Sequence, residues 1–438
     1  MKKYIAVILA FVFIITAVFS GCSFELRSIN SLMRPPHTST ESELKSSINK
    51  LLGNQISYRT PETGENHSAI TIRDINSDGA DEAIVFYVNN NDTSVVRMCV
   101  LTKQNESWLL AGDFSGNGSR IYTVEFADLN GDEDEEIMVS WFLFDDKSQK
   151  VLSVYTSASE NDTLSVSACL SEPYNLMSVA NLKSDNGKQL LIAYSNTTRD
   201  DKKSTLRLIG IDEKDNVNLI NETALDERII SLSSMLSDVE PGTATQRFFI
   251  DAMIADGQCV TQVFRWNANA EKFVSVLNNT DDPDATLRSS ELLCRDIDSD
   301  GVVEIPLKKA MSESVNSDTS LGYLLVWCKV EKTGLVPCEH YVVNLLENYT
   351  LYYPRSWKNK VFVKSENAER KWHFVNGNDD TLFTISAHSF ADWDDNNSDN
   401  SEMIMVQNDT VYCCTVTDIG EQAEITVSDI AGYFSLNI

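Results

Sequence analysis

Positive charge is scarce in this chain. Its 438 residues carry 36 lysines and arginines against 65 aspartates and glutamates, a formal net charge of −29. Phosphate contacts need clustered Lys and Arg, and no basic stripe occurs, so the charge balance excludes a nucleic-acid partner. Histidine is scarcer still, with five residues at positions 37, 67, 340, 373 and 388 and no His-Glu-x-x-His pair among them. A Gly-x-Ser-x-Gly elbow and a phosphate-cradling glycine loop are missing too. Without such constellations the expectation is a protein that is not an enzyme. The nine cysteines form no Cys-x-x-Cys pair and no dense framework. Cys328 and Cys338 could face each other across a hairpin, and the neighbours Cys413 and Cys414 point to opposite faces of a strand.

Long apolar runs are also missing, with one exception. Tyr4 to Phe19 is apolar apart from Thr16, follows Lys2 and Lys3, and leads into Ser20-Gly21-Cys22. The run falls short of the roughly 20 residues of a membrane-spanning helix. Residues 1–22 resemble a bacterial lipoprotein signal, in which Cys22 would be lipidated and become the new N-terminus. Phe19 departs from that pattern, where Leu is commonest. An ordinary secretory signal or an uncleaved anchor is the alternative. The resemblance implies a lipid anchor to the cell membrane, with the chain facing outside. Residues 23–66 then read as a polar tether containing Arg34-Pro35-Pro36, followed by a short amphipathic helix. In that helix Leu44, Ile48, Leu51 and Leu52 share a face, Thr40 and Glu43 form a capping box, and Gly53 stops the run.

What the chain has in abundance is acidic loops of one design. Asp74-Ile-Asn-Ser-Asp-Gly-Ala-Asp-Glu82 places oxygen side chains at positions 1, 3, 5 and 9 and glycine at position 6. Hard cations such as calcium ask for such oxygen shells. The first set of ligands is Asp74, Asn76, Asp78, the carbonyl of Ala80 and Glu82. The second is Asp128, Asn130, Asp132, the carbonyl of Asp134 and Glu136. The third is Asp296, Asp298, Asp300, the carbonyl of Val302 and Glu304. The second loop has Glu133 at position 6, which weakens its case. The closing acid stands at position 9 rather than 12 and strands flank the loops, so these are not EF-hands. Plain Asx turns between strands are the alternative reading.

Degenerate copies start at Asn181 and Asp238. Lys183 and Gln189 in the first, and Val239, Pro241 and Gln246 in the second, argue against a cation there. The five starts at 74, 128, 181, 238 and 296 recur at about 55 residues, the mark of a repeat architecture. Each period holds four short apolar or alternating runs, the make-up of a propeller blade. The predicted fold is mainly β: a five-bladed β-propeller over 67–345, closed by the strand His67–Arg73 completing the last blade. An open stack of hairpins is the rival topology. From 346 to 438 the period is lost, and strand signals with a terminal helix capped by Ser428 predict a small α+β domain beginning at Tyr349.

The loops, repeated through 67–345 and each followed by an apolar strand, resemble the FG-GAP/VCBS repeats of integrin-α-like propellers. More closely, the chain resembles VCBS-repeat lipoproteins of anaerobic Gram-positive bacteria. The likeness rests on Arg34-Pro35-Pro36, His67-Ser-Ala-Ile, Asp81-Glu-Ala-Ile-Val-Phe-Tyr87, Asp128-Leu-Asn-Gly-Asp132 and Asp300-Gly-Val-Val-Glu-Ile-Pro306. It implies a surface-anchored, calcium-loaded propeller of unassigned activity. Three functional expectations follow. The first is a binding module for an extracellular protein, peptide or glycan, with Trp141, Trp266 and Trp327 as candidate contact or core residues. The second is a structural or assembly role in the envelope. The third is a propeller glycosidase or lyase, which would need two carboxylates facing each other in a central pocket.

Overall fold

The computed structural model describes residues 39–436, apart from 106, 144–148, 161–162, 184–186, 197–202, 278–281, 283, 310–321, 333, 392 and 394–400. Cys22, the signal, the Arg-Pro-Pro tether and most of the acidic segment 392–402 lie outside the described residues. The fold is mainly β, with six antiparallel sheets in series and none closed on itself. Helix α1 (Ser39–Leu52) precedes them. The side chain of Thr40, expected to cap this helix, lies outside the described residues.

Sheet one holds β1 (Ile56–Tyr58), β2 (Ile70–Arg73), β3 (Glu82–Asn89), β4 (Asp92–Gln104) and β5 (Ser107–Ser115). Sheet two runs β6 (Arg120–Ala127), β7 (Glu136–Phe142), β8 (Lys150–Glu160) and β9 (Thr163–Tyr174). Sheet three runs β10 (Leu176–Ala180), β11 (Gln189–Asn196), β12 (Lys203–Ile211) and β13 (Val217–Ala224). Sheet four has β14 (Ser231–Val239), β15 (Gln246–Ile254), β16 (Gln258–Asn267) and β17 (Lys272–Ser275), with β18 (Arg288–Ser289) paired to β16. Sheet five has β19 (Glu304–Lys309), β20 (Gly322–Glu331), β21 (Gly334–Asn344) and β22 (Tyr349–Tyr352). Sheet six contains β23 (Phe362–Glu366), β24 (Lys371–Val375), β25 (Thr381–Ser389), β26 (Glu402–Gln407) and β27 (Thr410–Val416). Helices α2 (Asp418–Gln422) and α3 (Val427–Tyr433) follow, and β28 (Phe434–Ser435) returns to pair with β22 in sheet five.

Apolar runs become strands here because both faces of most sheets are covered. In β3 the side chains of Ile84, Phe86 and Val88 pack with Val124, Val139 and Trp141 of sheet two. The alternate residues Ala83, Val85 and Tyr87 pack under Leu44 and Ile48 of α1. Equivalent clusters join sheets two and three, three and four, and four and five. A further cluster joins sheet five to sheet six through Leu351, Trp372, Phe374 and Phe383. The helix therefore covers the free face at one end of the series, and the sixth sheet covers the other.

The closing strand is corrected by this pairing. Arg73 stands opposite Glu82 and Ile70 opposite Val85, so β2 belongs to sheet one and not to the last blade. No buried cluster among the described residues joins sheet one to sheet five. Sheet five is instead completed at its other side by β22 and β28, and its strand before the third loop is reduced to one bridge, Arg295 with Glu304. Tyr349, expected to open the C-terminal unit, is thus a residue of sheet five. The terminal helix is capped by Thr426 and not Ser428. Thr426 Oγ1 accepts from the Asp429 backbone N–H, and Asp429 answers with a carboxylate on Thr426 N–H.

Trp141, Trp266 and Trp327 are all core residues, at 0 %, 8 % and 3 % exposure. The eight described cysteines are free. Cys328 sits opposite Pro337 rather than Cys338, whose thiol donates to the Trp327 carbonyl. Cys413 and Cys414 are both buried.

The strand-loop-strand acidic sites

The first two acidic loops each join two strands of one antiparallel pair and the third follows a single antiparallel bridge, Arg295 with Glu304, yet all three share one hydrogen-bond frame. The N–H at position 2 donates to the closing acid: Ile75 to Glu82 at 3.3 Å, Leu129 to Glu136 at 2.6 Å and Ile297 to Glu304 at 3.0 Å. The N–H at position 6 donates to the first Asp: Gly79 to Asp74 at 3.0 Å, Glu133 to Asp128 at 3.3 Å and Gly301 to Asp296 at 2.9 Å. The N–H at position 7 donates to the Asp at position 5: Ala80 to Asp78 at 2.7 Å, Asp134 to Asp132 at 2.9 Å and Val302 to Asp300 at 2.9 Å. The carboxylates thus fold the loop as well as lining it.

Glu133 does not distort the second loop. Positions 4 and 6 are left-handed in all three: Ser77 and Gly79, Gly131 and Glu133, Ser299 and Gly301. Each loop has one glycine for two such positions, and the second puts it at position 4. A side chain at positive φ costs about 1–2 kcal/mol, which Glu133 bears in place of Ser77 or Ser299.

Burial sets the charge of the closing acids. Glu82 is fully buried, and desolvation pushes it up to about 7 against hydrogen bonds from Ile75 and Thr102, with the Asp78 and Asp74 charges adding to the rise. Desolvation likewise pushes Glu136 up to about 8, with the Asp132, Asp128 and Asp215 charges raising it further. Asp134 is pushed up to about 6 by burial and the Asp132 charge. Glu304 is raised by burial, but the ammonium of Lys329 pulls it back. Buried carboxyls crowded by like charges are what an added cation relieves. Asn76 Oδ1, a predicted ligand atom, is buried with no hydrogen-bond partner, so the donor set of the first loop fits a hard cation. In the third loop, ligand atoms of Asp296, Asp298 and Glu304 all lie within 4.8 Å of one another.

Two residues near these loops were not legible in sequence. Asp215, in the β12–β13 turn of the next sheet, lies 3.2 Å from Asn130 Nδ2 and adds a carboxylate to the second loop. Lys329, across from Glu304 in β20, reaches the third. Neither belongs to a nine-residue motif, so only topology brings them in.

The copy at Asn181 keeps one contact of the frame without the charge, and the copy at Asp238 does not keep the frame. Gln189 Oε1 accepts from Leu182 N–H at 2.8 Å, as Glu82 does from Ile75, while Lys183 turns to Glu271. Asp238 is a strand residue of β14, and its buried carboxylate binds Arg247 and the N–H of Val303. The loops also touch in succession. Ser77 Oγ donates to the Glu133 carbonyl at 2.8 Å, and Lys188 N–H to the Asp128 carbonyl at 3.1 Å. Gly187 is fixed by this contact, since a Cβ there would stand 2.5 Å from the Leu129 carbonyl.

A separate cavity of about 320 Å³ is lined by Thr63, Tyr122, Lys150, Tyr174, Leu176 and Met235, drawn from the segment before β2 and the first part of sheets two to four. Lys150 Nζ lies over the Tyr122 and Tyr174 rings, at 4.3 and 5.0 Å. Glu125 is the one carboxylate among its lining residues. The facing pair that a glycosidase needs is not brought together in this cavity.

No protein-family model matches the chain, and no curated protein does. Among solved structures it is similar to rhamnogalacturonan lyase YesW, with 9 % identity over 66 % of this chain and 68 % of that one and a TM-score of 0.28. It is also similar to a fructan 1-exohydrolase IIa variant from Cichorium intybus in complex with 1-kestose, with 9 % identity over 84 % and 86 % and a TM-score of 0.29. Likeness at this level carries neither topology nor activity to this chain.

The loop backbone and the buried acids each give a measurable expectation. Replacing Glu133 with Gly relieves a left-handed side chain at some cost in unfolded-state entropy, so stability in urea rises by about 0.5 kcal/mol, while Gly79→Ala lowers it by about 1 kcal/mol. Equal effects at the two positions would mean the backbones differ. The second expectation concerns pH. Between about pH 4.5 and 8 the native protein without divalent ions keeps protons on Glu82 and Glu136 that the unfolded chain has released. Their contribution to stability is therefore full at the acid end and falls as pH rises through that window. In chelator the urea midpoint is lower at pH 8 than at pH 5, and calcium shrinks the difference; a flat midpoint in chelator contradicts it.

Proposed function

We propose that this protein is an extracellular binding module of the FG-GAP/VCBS-repeat type, lipid-anchored to the cell membrane through Cys22 and stabilised by calcium in its acidic loops. The propeller-like arrangement of its sheets is part of this reading, and the cavity whose lining sheets two, three and four share supports it. The binding role rests on one observation. Strand β26 is the outer edge of sheet six, and it exposes Met403, Met405 and Val406, with Phe390 exposed in the same unit. Edge strands are normally blunted by charge, proline or a cover, because their free N–H and C=O groups recruit other chains. Among the described residues no strand pairs with the outer side of β26, and an apolar edge of this kind suits an extended protein or peptide segment that adds a strand. A structural or assembly role in the envelope is the alternative, and it needs no such edge.

Bound to the carboxylates of the first and second loops, calcium would supply positive charge among buried acids; the chain's own residues form the loop frame. A ligand that binds only the folded state adds about 3 kcal/mol at a hundred times its Kd. Thermal unfolding of the full chain in calcium and in chelator therefore gives a higher midpoint in calcium, and Asp74→Ala removes part of the rise. No rise at all leaves these loops as plain turns. For the binding role, a peptide and glycan array is probed with the wild type and with Met405→Glu. The expected result is a peptide signal that the variant loses at least tenfold. A signal indifferent to Met405 places binding away from β26, and no signal favours the assembly role.

A further inference from the structure

The three acidic loops differ at one position that no loop motif contains. In each, the closing acid stands opposite a residue of the next strand. Register places Thr102 opposite Glu82 and Thr156 opposite Glu136, one step beyond the pairs Ala83–Leu101 and Ile137–Tyr155. Opposite Glu304 stands Lys329. Thr102 Oγ1 donates to Glu82 Oε1 at 3.0 Å, a neutral donor on the buried acid. Lys329 brings a full charge to the same place.

That charge sits among the predicted ligands themselves. Lys329 Nζ lies 3.4 Å from Asp298 Oδ2 and 3.3 Å from Glu304 Oε1, and it donates to Asp300 Oδ2. Three of the four carboxylates expected to hold a cation thus already hold an ammonium. The exchange is matched within the loop. Position 3 is the neutral Asn76 in the first loop and Asn130 in the second, but Asp298 in the third. An added negative charge accompanies the added positive one, and the two are in contact. A carboxylate set arranged round an ammonium with three donors resembles one arranged round a metal, because both need converging oxygens. A divalent ion entering here must displace Lys329 and give up its ion pairs with three acids, a cost the first two loops do not impose.

We propose that Lys329 is the resident cation of the third loop, which keeps its shape without a divalent ion. The inference deepens the calcium reading of the first and second loops, yet it stands or falls on a separate measurement. Calcium bound per chain is counted by native mass spectrometry and calorimetric titration with calcium chloride, on the full protein. In the wild type, Asp296→Asn leaves the number of bound ions unchanged. Lys329→Thr, which installs the residue found opposite the other closing acids, binds one calcium more than the wild type, and adding Asp296→Asn removes that extra ion. An ion lost from the wild type on Asp296→Asn overturns the proposal, and this holds even where Lys329→Thr fails to fold. A folded Lys329→Thr protein that gains no ion overturns it too. Should the wild type bind no calcium while Lys329→Thr binds one, the reading of loops one and two fails and the role of Lys329 stands.

Discussion

Most sheets in this protein have two apolar faces and need something on each. That requirement orders the whole molecule. A strand such as β3, buried along nearly its whole length, cannot rest against a single neighbour. Sheet two covers one of its faces and α1 the other. The same need passes along the series until sheet six closes it. Repeat arrays solve their ends with caps, because the terminal unit has no next repeat to bury its face. Here one cap is a helix of 14 residues and the other a sheet with two short helices.

The first two acidic loops sit where consecutive strands of a pair turn, and they join neighbouring sheets through Ser77 to Glu133 and Lys188 to Asp128. Burial there, with neighbouring carboxylates adding to it, raises Glu82 and Glu136 well above ordinary values, and the repeats differ in what stands beside the closing acid. In the first, Thr102 gives the closing acid a neutral donor. The third answers it with Lys329. The copy at Asn181 ends in a neutral Gln189 that makes the same backbone contact.

Sheet four uses buried ion pairs instead. Asp238 and Arg247 are paired out of contact with water, and Arg247 also donates to the Val330 carbonyl of sheet five. Asp251 accepts from Arg288, Thr261 and Cys294. Burial alone would raise Asp251; the Arg288 charge and those hydrogen bonds outweigh it and hold the carboxyl below its ordinary range. Removing one partner of such a pair leaves a buried charge unsatisfied, which is why these residues fasten the junction between sheets four and five.

Much of this was legible in the chain because it is local. Alternation and apolar runs marked nearly every strand of sheets one and two, since a strand's period depends on neighbours two residues apart. The loop frame was legible for the same reason: each of its contacts lies within one nine-residue motif. The left-handed turn at Glu133 was misjudged because the glycine had moved two places, which the backbone tolerates and a position-by-position reading does not. Partners across sheets were out of reach. Nothing near His67–Arg73 says whether that strand joins the first sheet or the last, because both offer an edge of the same chemistry. Lys329 and Asp215 reach the loops from other strands and carry no motif. The sequence alone determined the β class, the repeat and the candidate ligands, through short-range periodicity and spacing. Tertiary structure decided the order of the sheets, the caps at their ends, and which acidic loop already contains its own cation, because each depends on residues that only packing brings together.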